Sequence, residues 1–168
     1  MTIIPLSDSP ASEVESLLDR AFGPDRHGRT AYRLRSGTRQ IEALSFAATD
    51  EGGSLAGTIQ CWPVRFVGND GRDVPMILVG PVAVEPSIQR GGIGQQLMAQ
   101  MLAAADSSPL PETDALMLIG DPEYYGRFFG FTADATGGWR LPGPFEPRRL
   151  LARGLGVPDG QGEVRPRV

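Results

Sequence analysis

Lysine is absent from this chain: all 16 of its basic residues are arginine. A phosphate loop of the type GxxxxGK[ST] needs that lysine, so this class of nucleotide site is excluded. There is one cysteine, Cys61, and one histidine, His27. No internal disulfide can form, and no His/Cys constellation for a metal ion is present. Positive charge is in deficit, with a net charge of −4 at pH 7. Neither nucleic acid nor an anionic membrane surface has an electrostatic partner here. No apolar run approaches the ~18 residues that a membrane span requires. The opening MTIIPLSDSP has neither the basic region nor the apolar region of a secretory leader. These absences together lead to the expectation of a cytoplasmic protein.

With 168 residues, 40% of them hydrophobic, the chain can bury a core, and its length predicts a single domain. That domain is expected over residues 1–155, with a loose Gly/Pro-rich tail over 156–168. Ser12-x-x-Glu15 has the pattern of a capping box. Val14, Leu17, Leu18, Ala21 and Phe22 follow at helical spacing, and Gly23-Pro24 ends that helix. A second, arginine-rich helix is expected over residues 25–35. Alternation at Leu44, Phe46 and Ala48 then changes the period to that of a strand, with turn signals at residues 50–53 and 69–71. Three antiparallel strands are predicted, the second near residues 55–66 with Pro63 at an edge or bulge, the third over 74–84. Ala115–Ile119 reads as a short buried strand. Asp121 and Pro122 read as the N-cap and first residue of a helix that stops at Gly130. Late strands are expected near 131–133 and 139–141, while 145–155 fits either helix or strand. The whole is an α+β fold with a mixed sheet, and its strand–helix–strand unit, from Val74 to Ile119, should be parallel and right-handed.

The most informative segment runs from Leu78 to Met98. The third strand ends at Val84, a short loop follows, and Gln89-Arg90-Gly91-Gly92-Ile93-Gly94 opens a helix. Apolar residues recur at Ile93, Leu97, Met98, Met101, Leu102 and Ala105, one helical face. Free backbone N–H groups at a helix start attract anions, and glycine lets a phosphate approach. A dinucleotide fingerprint, GxGxxG tight against the strand, does not fit: Gly92-x-Gly94 has no third glycine and comes too late after Val84.

The pattern that does fit is Gln89-x-x-Gly92-x-Gly94 behind Val82-Ala83-Val84-Glu85-Pro86. It resembles the pyrophosphate loop of the GNAT superfamily of acyl-CoA-dependent N-acetyltransferases. The stretch from Gly120 to Phe131, GDPEYYGRFFGF, and the turn Leu141-Pro142-Gly143-Pro144 look like those of a small bacterial GNAT subgroup marked by GDPxYYxRFGF. The resemblance covers residues 44–155. It implies a mainly antiparallel sheet flanked by helices, with a splayed central strand pair. It implies that the pantetheine arm of acetyl-CoA pairs with the strand at Val82, Ala83 and Val84. The diphosphate would be held by backbone at Gln89, Arg90, Gly91, Gly92, Ile93, Gly94 and Gln95, with Arg90 adding charge.

The activity so implied is transfer of an acetyl group to a primary amine by direct attack, with no metal. The departing thiolate benefits from a proton. A tyrosine, with an unperturbed pKa near 10, is a suitable donor. The resemblance places it on the helix after residue 119, at Tyr125, with Tyr124 the alternative. Here the spacing from Tyr125 to Phe131 is one residue longer than in the subgroup, because Phe128-Phe129 replaces a single phenylalanine. Glu42, Glu85 and Asp121 are candidate bases by position alone. His27 reads as a surface residue, Cys61 as a small core residue, and Arg26, Arg29, Arg33 and Arg35 as a solvated face or the border of an acceptor site. The acceptor is not encoded in any motif. Edge strands would allow a homodimer. A non-catalytic acyl-CoA-binding or sensor module, and a binder of another nucleotide, are the competing readings.

Overall fold

The computed structural model describes residues 1–88 and 91–168. In chain order the elements are β1 (Thr2–Pro5), α1 (Ala11–Phe22), α2 (Thr30–Arg33), β2 (Phe46–Thr49), β3 (Leu55–Gly68), β4 (Asp73–Val84), α3 (Ile93–Asp106), β5 (Leu116–Ile119), α4 (Pro122–Phe129), β6 (Trp139–Arg140), β7 (Leu150–Arg153) and β8 (Gly162–Pro166). The strand order is β1-β2-β3-β4-β5-β7, with β8 hydrogen-bonded to β3 and β6. β4 runs parallel to β5, whereas β1–β2, β2–β3, β3–β8 and β5–β7 are antiparallel. This is the mixed, mainly antiparallel α+β sheet that the sequence predicts. The chain forms two compact units. The first comprises Met1–Gly28, Gln40–Cys61 and Gly80–Ser107, the second Arg29–Arg39, Trp62–Val79 and Ser108–Val168.

In the first unit, α1 carries its apolar residues one turn apart. Val14, Leu17 and Leu18 are buried with Leu6, Ala47 and Ala83. The capping box does not form. The helix starts at Ala11 with Pro10 as its N-cap and no side-chain cap, which leaves Ser12 inside the first turn. Glu15 instead turns to Arg26. That arginine is 1% exposed, and it donates to the carboxylates of Glu15 and Asp19. A buried guanidinium needs such partners. The expected second helix is reduced to a 3-10 turn at Arg26–Gly28 and the short α2.

The apolar face predicted for α3 is the buried one: Ile93, Leu97, Met98, Met101, Leu102 and Ala105. Burial of each large side chain contributes about 1.5–3 kcal/mol. The helix seats on β3 at Gly57. A Cβ there would fall 2.8 Å from Ile93 Cγ2, 3.0 Å from the Ala83 carbonyl oxygen and 3.1 Å from Leu97 Cδ1. A strand-interior glycine marks this kind of close approach.

The second unit has its own core, which includes Val64, Phe66, Met76, Leu78, Met117, Trp139, Leu150 and Val164. Of the arginines expected on a solvated face or at the border of an acceptor site, Arg29 and Arg33 are exposed, while Arg35 is half-buried. Arg33 donates to the Pro142 carbonyl at 3.1 Å, and Thr30 Oγ1 donates to the Pro144 carbonyl at 2.5 Å. Arg35 lies over the rings of Tyr32 and Trp62, 4.0 and 4.2 Å from their centroids. The tail is not loose. Residues 162–166 form β8, which pairs with Val64–Gly68 and buries Val164 completely. Arg167 Nε then donates to the Val64 carbonyl. On β3, Pro63 falls between the residues paired with β2, ending at Ile59, and those paired with β8, starting at Val64. The late segment 131–133 gives only the bridge Thr132↔Ala152, and within 145–155 the strand reading holds for Leu150–Arg153.

Candidate active site

At the end of β4, Ala83 is buried in the core beneath α1, while Val82 and Val84 are half-buried. That alternation is the period of a strand. The parallel ladder with β5 stops at Ile77↔Leu116 and Leu78↔Met117, whereas β4 continues to Val84. After the strand, the Glu85 N–H donates to the Ala56 carbonyl and the Ile88 N–H to the Glu85 carbonyl, both at 2.8 Å. These bonds turn the chain toward α3. Gln89 and Arg90, expected to take part in diphosphate binding, lie outside the described residues.

Glycine is required at the next two positions for a backbone reason. Gly91 has φ +122° and Gly92 φ +67°, values that L side chains rarely adopt. Gly92 is the N-cap of α3: its carbonyl accepts from the Gln96 N–H at 3.0 Å, and among the described residues no side chain caps the helix. The N–H groups of Ile93, Gly94 and Gln95 therefore belong to the first turn, where no helical carbonyl is available to them. Among the described residues, a Cβ at Gly91 would meet nothing within 4 Å, and one at Gly92 only Gln95 Oε1 at 3.9 Å. An uncapped helix start beside open space suits a diphosphate: fixed donors, a favourable dipole and room for oxygen atoms. Gly94 is helical and is not among the positive-φ glycines.

In the second unit, Asp121 caps α4 by accepting from the Glu123 N–H at 3.1 Å, and Pro122 takes the first position. The helix ends at Gly130, φ +72°. Past that glycine, the Phe131 N–H donates to the carbonyl of Tyr125, six residues back, at a glycine-capped helix end. Phe131 stays buried and meets Tyr125 edge-on, with centroids 6.4 Å apart. Tyr125 is half-buried. On its other side, Gly120 leaves space for the ring, since a Cβ there would come within 2.5 Å of Cε2. Tyr124 packs at right angles to it, 4.9 Å between centroids.

Burial pushes the Tyr125 phenol up to about 12, with Tyr124 and Asp121 adding to the shift and Arg149 opposing it. Burial raises Tyr124 as well. The phenol of Tyr125 is therefore a held proton, available as a hydrogen-bond donor throughout the physiological range.

The remaining candidates are occupied or exposed. The Asp121 carboxyl is held below its ordinary value by hydrogen bonding to Glu123, with help from Arg148 and Arg149, as befits a cap. Glu85 is ion-paired with Arg20 at 2.7 Å. Glu42 and His27 are exposed. Cys61 is fully buried and its thiol is pushed up by desolvation, so it stays protonated and unreactive. Among the described residues, no group of three or more His, Cys, Asp or Glu is placed to hold a metal ion. Among the described residues, no helix is long and apolar enough to cross a membrane. Sequence reasoning passed over Gly57 and Arg20, and quoted Gly120 only as the start of the family-like stretch. For Gly57 a signal existed, an isolated glycine within an apolar strand; for Arg20 there was none.

Comparison with known proteins agrees with this geometry. The family described as acetyltransferase (GNAT) domain matches residues 2–132. A GNAT family acetyltransferase from Brucella melitensis, solved with acetyl-CoA, is 26% identical and superposes with a TM-score of 0.66 over 99% of this chain and 96% of that one. The GNAT family N-acetyltransferase YhbS from Escherichia coli, solved with CoA, is 24% identical, with a TM-score of 0.71 over 99% of this chain and 89% of its own. A GCN5-related N-acetyltransferase from Kribbella flavida, 18% identical with a TM-score of 0.54 over 78% of this chain and 33% of that one, shares the fold alone. A search of curated protein sequences gives no match. The family match over most of the chain, on a fold with an uncapped glycine start to α3, has one meaning: this protein belongs to the GNAT acyltransferases.

Proposed function

We propose that this protein is an N-acetyltransferase that moves the acetyl group of acetyl-CoA to a primary amine by direct attack. The observation that carries the reading is the start of α3, where Gly91 and Gly92 take positive φ and no side chain caps the helix. In this reading the backbone of Gly91, Gly92, Ile93, Gly94 and Gln95, with Gln89 and Arg90, holds the diphosphate. The backbone of Val82, Ala83 and Val84 pairs with the pantetheine amides, and an N–H of this strand donates to the oxyanion.

The amine must be neutral to attack. Its nitrogen forms a bond to the thioester carbon, the carbon–sulfur bond breaks, and the electron pair leaves on sulfur. The nitrogen sheds its surplus proton to water. Tyr125 is the group that meets the developing thiolate. A phenol near pKa 12 holds its proton more tightly than a thiol of pKa about 8.5, so full transfer is uphill. The stabilisation therefore comes from a hydrogen bond donated to sulfur, with solvent completing protonation. We place the enzyme in the cytoplasm.

The test is release of CoA thiol from acetyl-CoA in the presence of a panel of amines. Turnover with any amine excludes a non-catalytic acyl-CoA module. Tyr125→Phe is expected to lower kcat by about 100-fold while leaving acetyl-CoA affinity unchanged. Full activity in that variant removes Tyr125 from the mechanism.

A further inference from the structure

Arg20, on α1, reaches the turn that follows β4. Its Nε and terminal nitrogen both donate to one oxygen of Glu85, at 3.0 and 2.7 Å. The two residues are 65 positions apart in the chain. The carboxylate is well covered, with its side chain 18% exposed against 49% for the arginine, so water screens it poorly. Its position matters for charge. The Glu85 N–H is anchored on the Ala56 carbonyl. Ile93, the first residue of α3, sits over Gly57, the next residue of the same strand. The two ends of the loop thus converge on neighbouring residues of β3, which brings Glu85 close to the helix start.

A bare carboxylate there would oppose any anion bound at that start. It would cancel part of the favourable dipole that the uncapped N–H groups supply. We propose that Arg20 is a positioning residue for acetyl-CoA. By pairing with Glu85 it removes that opposing charge and ties the β4–α3 turn to α1, so that the helix start presents net positive potential to the diphosphate. Arg20 acts through Glu85 and touches no reacting atom. The inference rests on the reading that the α3 start holds the diphosphate.

The experiment is calorimetric titration of acetyl-CoA into the wild type, Arg20→Ala, Glu85→Gln and the double variant, at low and at high salt, with unliganded melting curves as the check on folding. Arg20→Ala exposes the carboxylate and is expected to raise Kd by ~3- to 5-fold at low salt, shrinking toward onefold near 0.5 M. Glu85→Gln alone is expected to bind at least as tightly as the wild type, and the double variant should recover wild-type affinity. Wild-type affinity in Arg20→Ala, or a double variant as weak as Arg20→Ala, overturns the proposal. Gly92→Val is the control for the underlying reading. If that variant binds acetyl-CoA normally, the helix start is not the diphosphate site and that reading fails, independently of Arg20.

Discussion

The ring of Tyr125 rests on Gly120: a Cβ at that glycine would fall 2.5 Å from Cε2 and 2.8 Å from Cδ2 of the ring. β5 ends at Ile119 and α4 begins at Pro122, so the glycine is the hinge point over which the tyrosine folds back. Gly120→Ala therefore displaces the ring rather than merely crowding it. Overpacking of this kind costs about 1–3 kcal/mol. The expected result is a drop in kcat with acetyl-CoA affinity retained, read by steady-state kinetics beside calorimetry. Unchanged kcat in a folded Gly120→Ala protein would mean that the ring position is irrelevant to turnover.

The raised Tyr125 value also makes a statement about stability against pH. The folded phenol titrates at about 12, against 10.0 ordinarily. Between these values the folded state keeps a proton that the unfolded state has released, so stability falls as pH rises. The contribution is intact below pH 10 and lost on approach to 12. Urea unfolding at pH 9 and pH 11 should show a smaller alkaline loss in Tyr125→Phe than in the wild type, by about 1 kcal/mol. Equal losses would place the tyrosine in a more solvated setting than the one described.

Gly57 is the seat of α3. With Ile93 Cγ2 at 2.8 Å and the Ala83 carbonyl at 3.0 Å from the site of a Cβ, backbone as well as side chain must give way. Gly57→Ala should lower stability by about 1–3 kcal/mol and weaken acetyl-CoA binding, because the helix start moves with Ile93. Chemical denaturation and calorimetry measure the two effects. A stable variant with unaltered binding would show that α3 can shift without consequence.

Much of this was legible in the sequence where a local rule and a tertiary role coincide. Ile93, Leu97 and Met101 have helical spacing because one face of α3 is buried, and Asp121, Pro122 and Gly130 bound α4 by capping chemistry that needs only nearby residues. Arg26 was misread because its burial depends on Glu15 and Asp19 on α1, an ion pair that no periodicity reveals. The same contact takes Glu15 from the expected capping box. β8 was missed for a related reason: only Val164 along it is an apolar anchor, and its strand identity comes from pairing with β3 about a hundred residues earlier. The glycine loop was legible as the start of α3, but the sequence emphasised Gly92 and Gly94, whereas positive φ falls on Gly91 and Gly92.

The central claim is that the α3 start binds acetyl-CoA. Its most direct test is thermal unfolding of the wild type and Gly92→Val with acetyl-CoA, and with NAD and ATP as controls. A valine at φ +67° strains the backbone by about 1–2 kcal/mol and puts a branched side chain at the start of α3. Ligand at 100 times its Kd stabilises by about 2.7 kcal/mol, a rise in Tm of several degrees. The account predicts that rise for the wild type with acetyl-CoA alone and its loss in Gly92→Val. An absence of any rise with acetyl-CoA, or an equal rise in the variant, would contradict it.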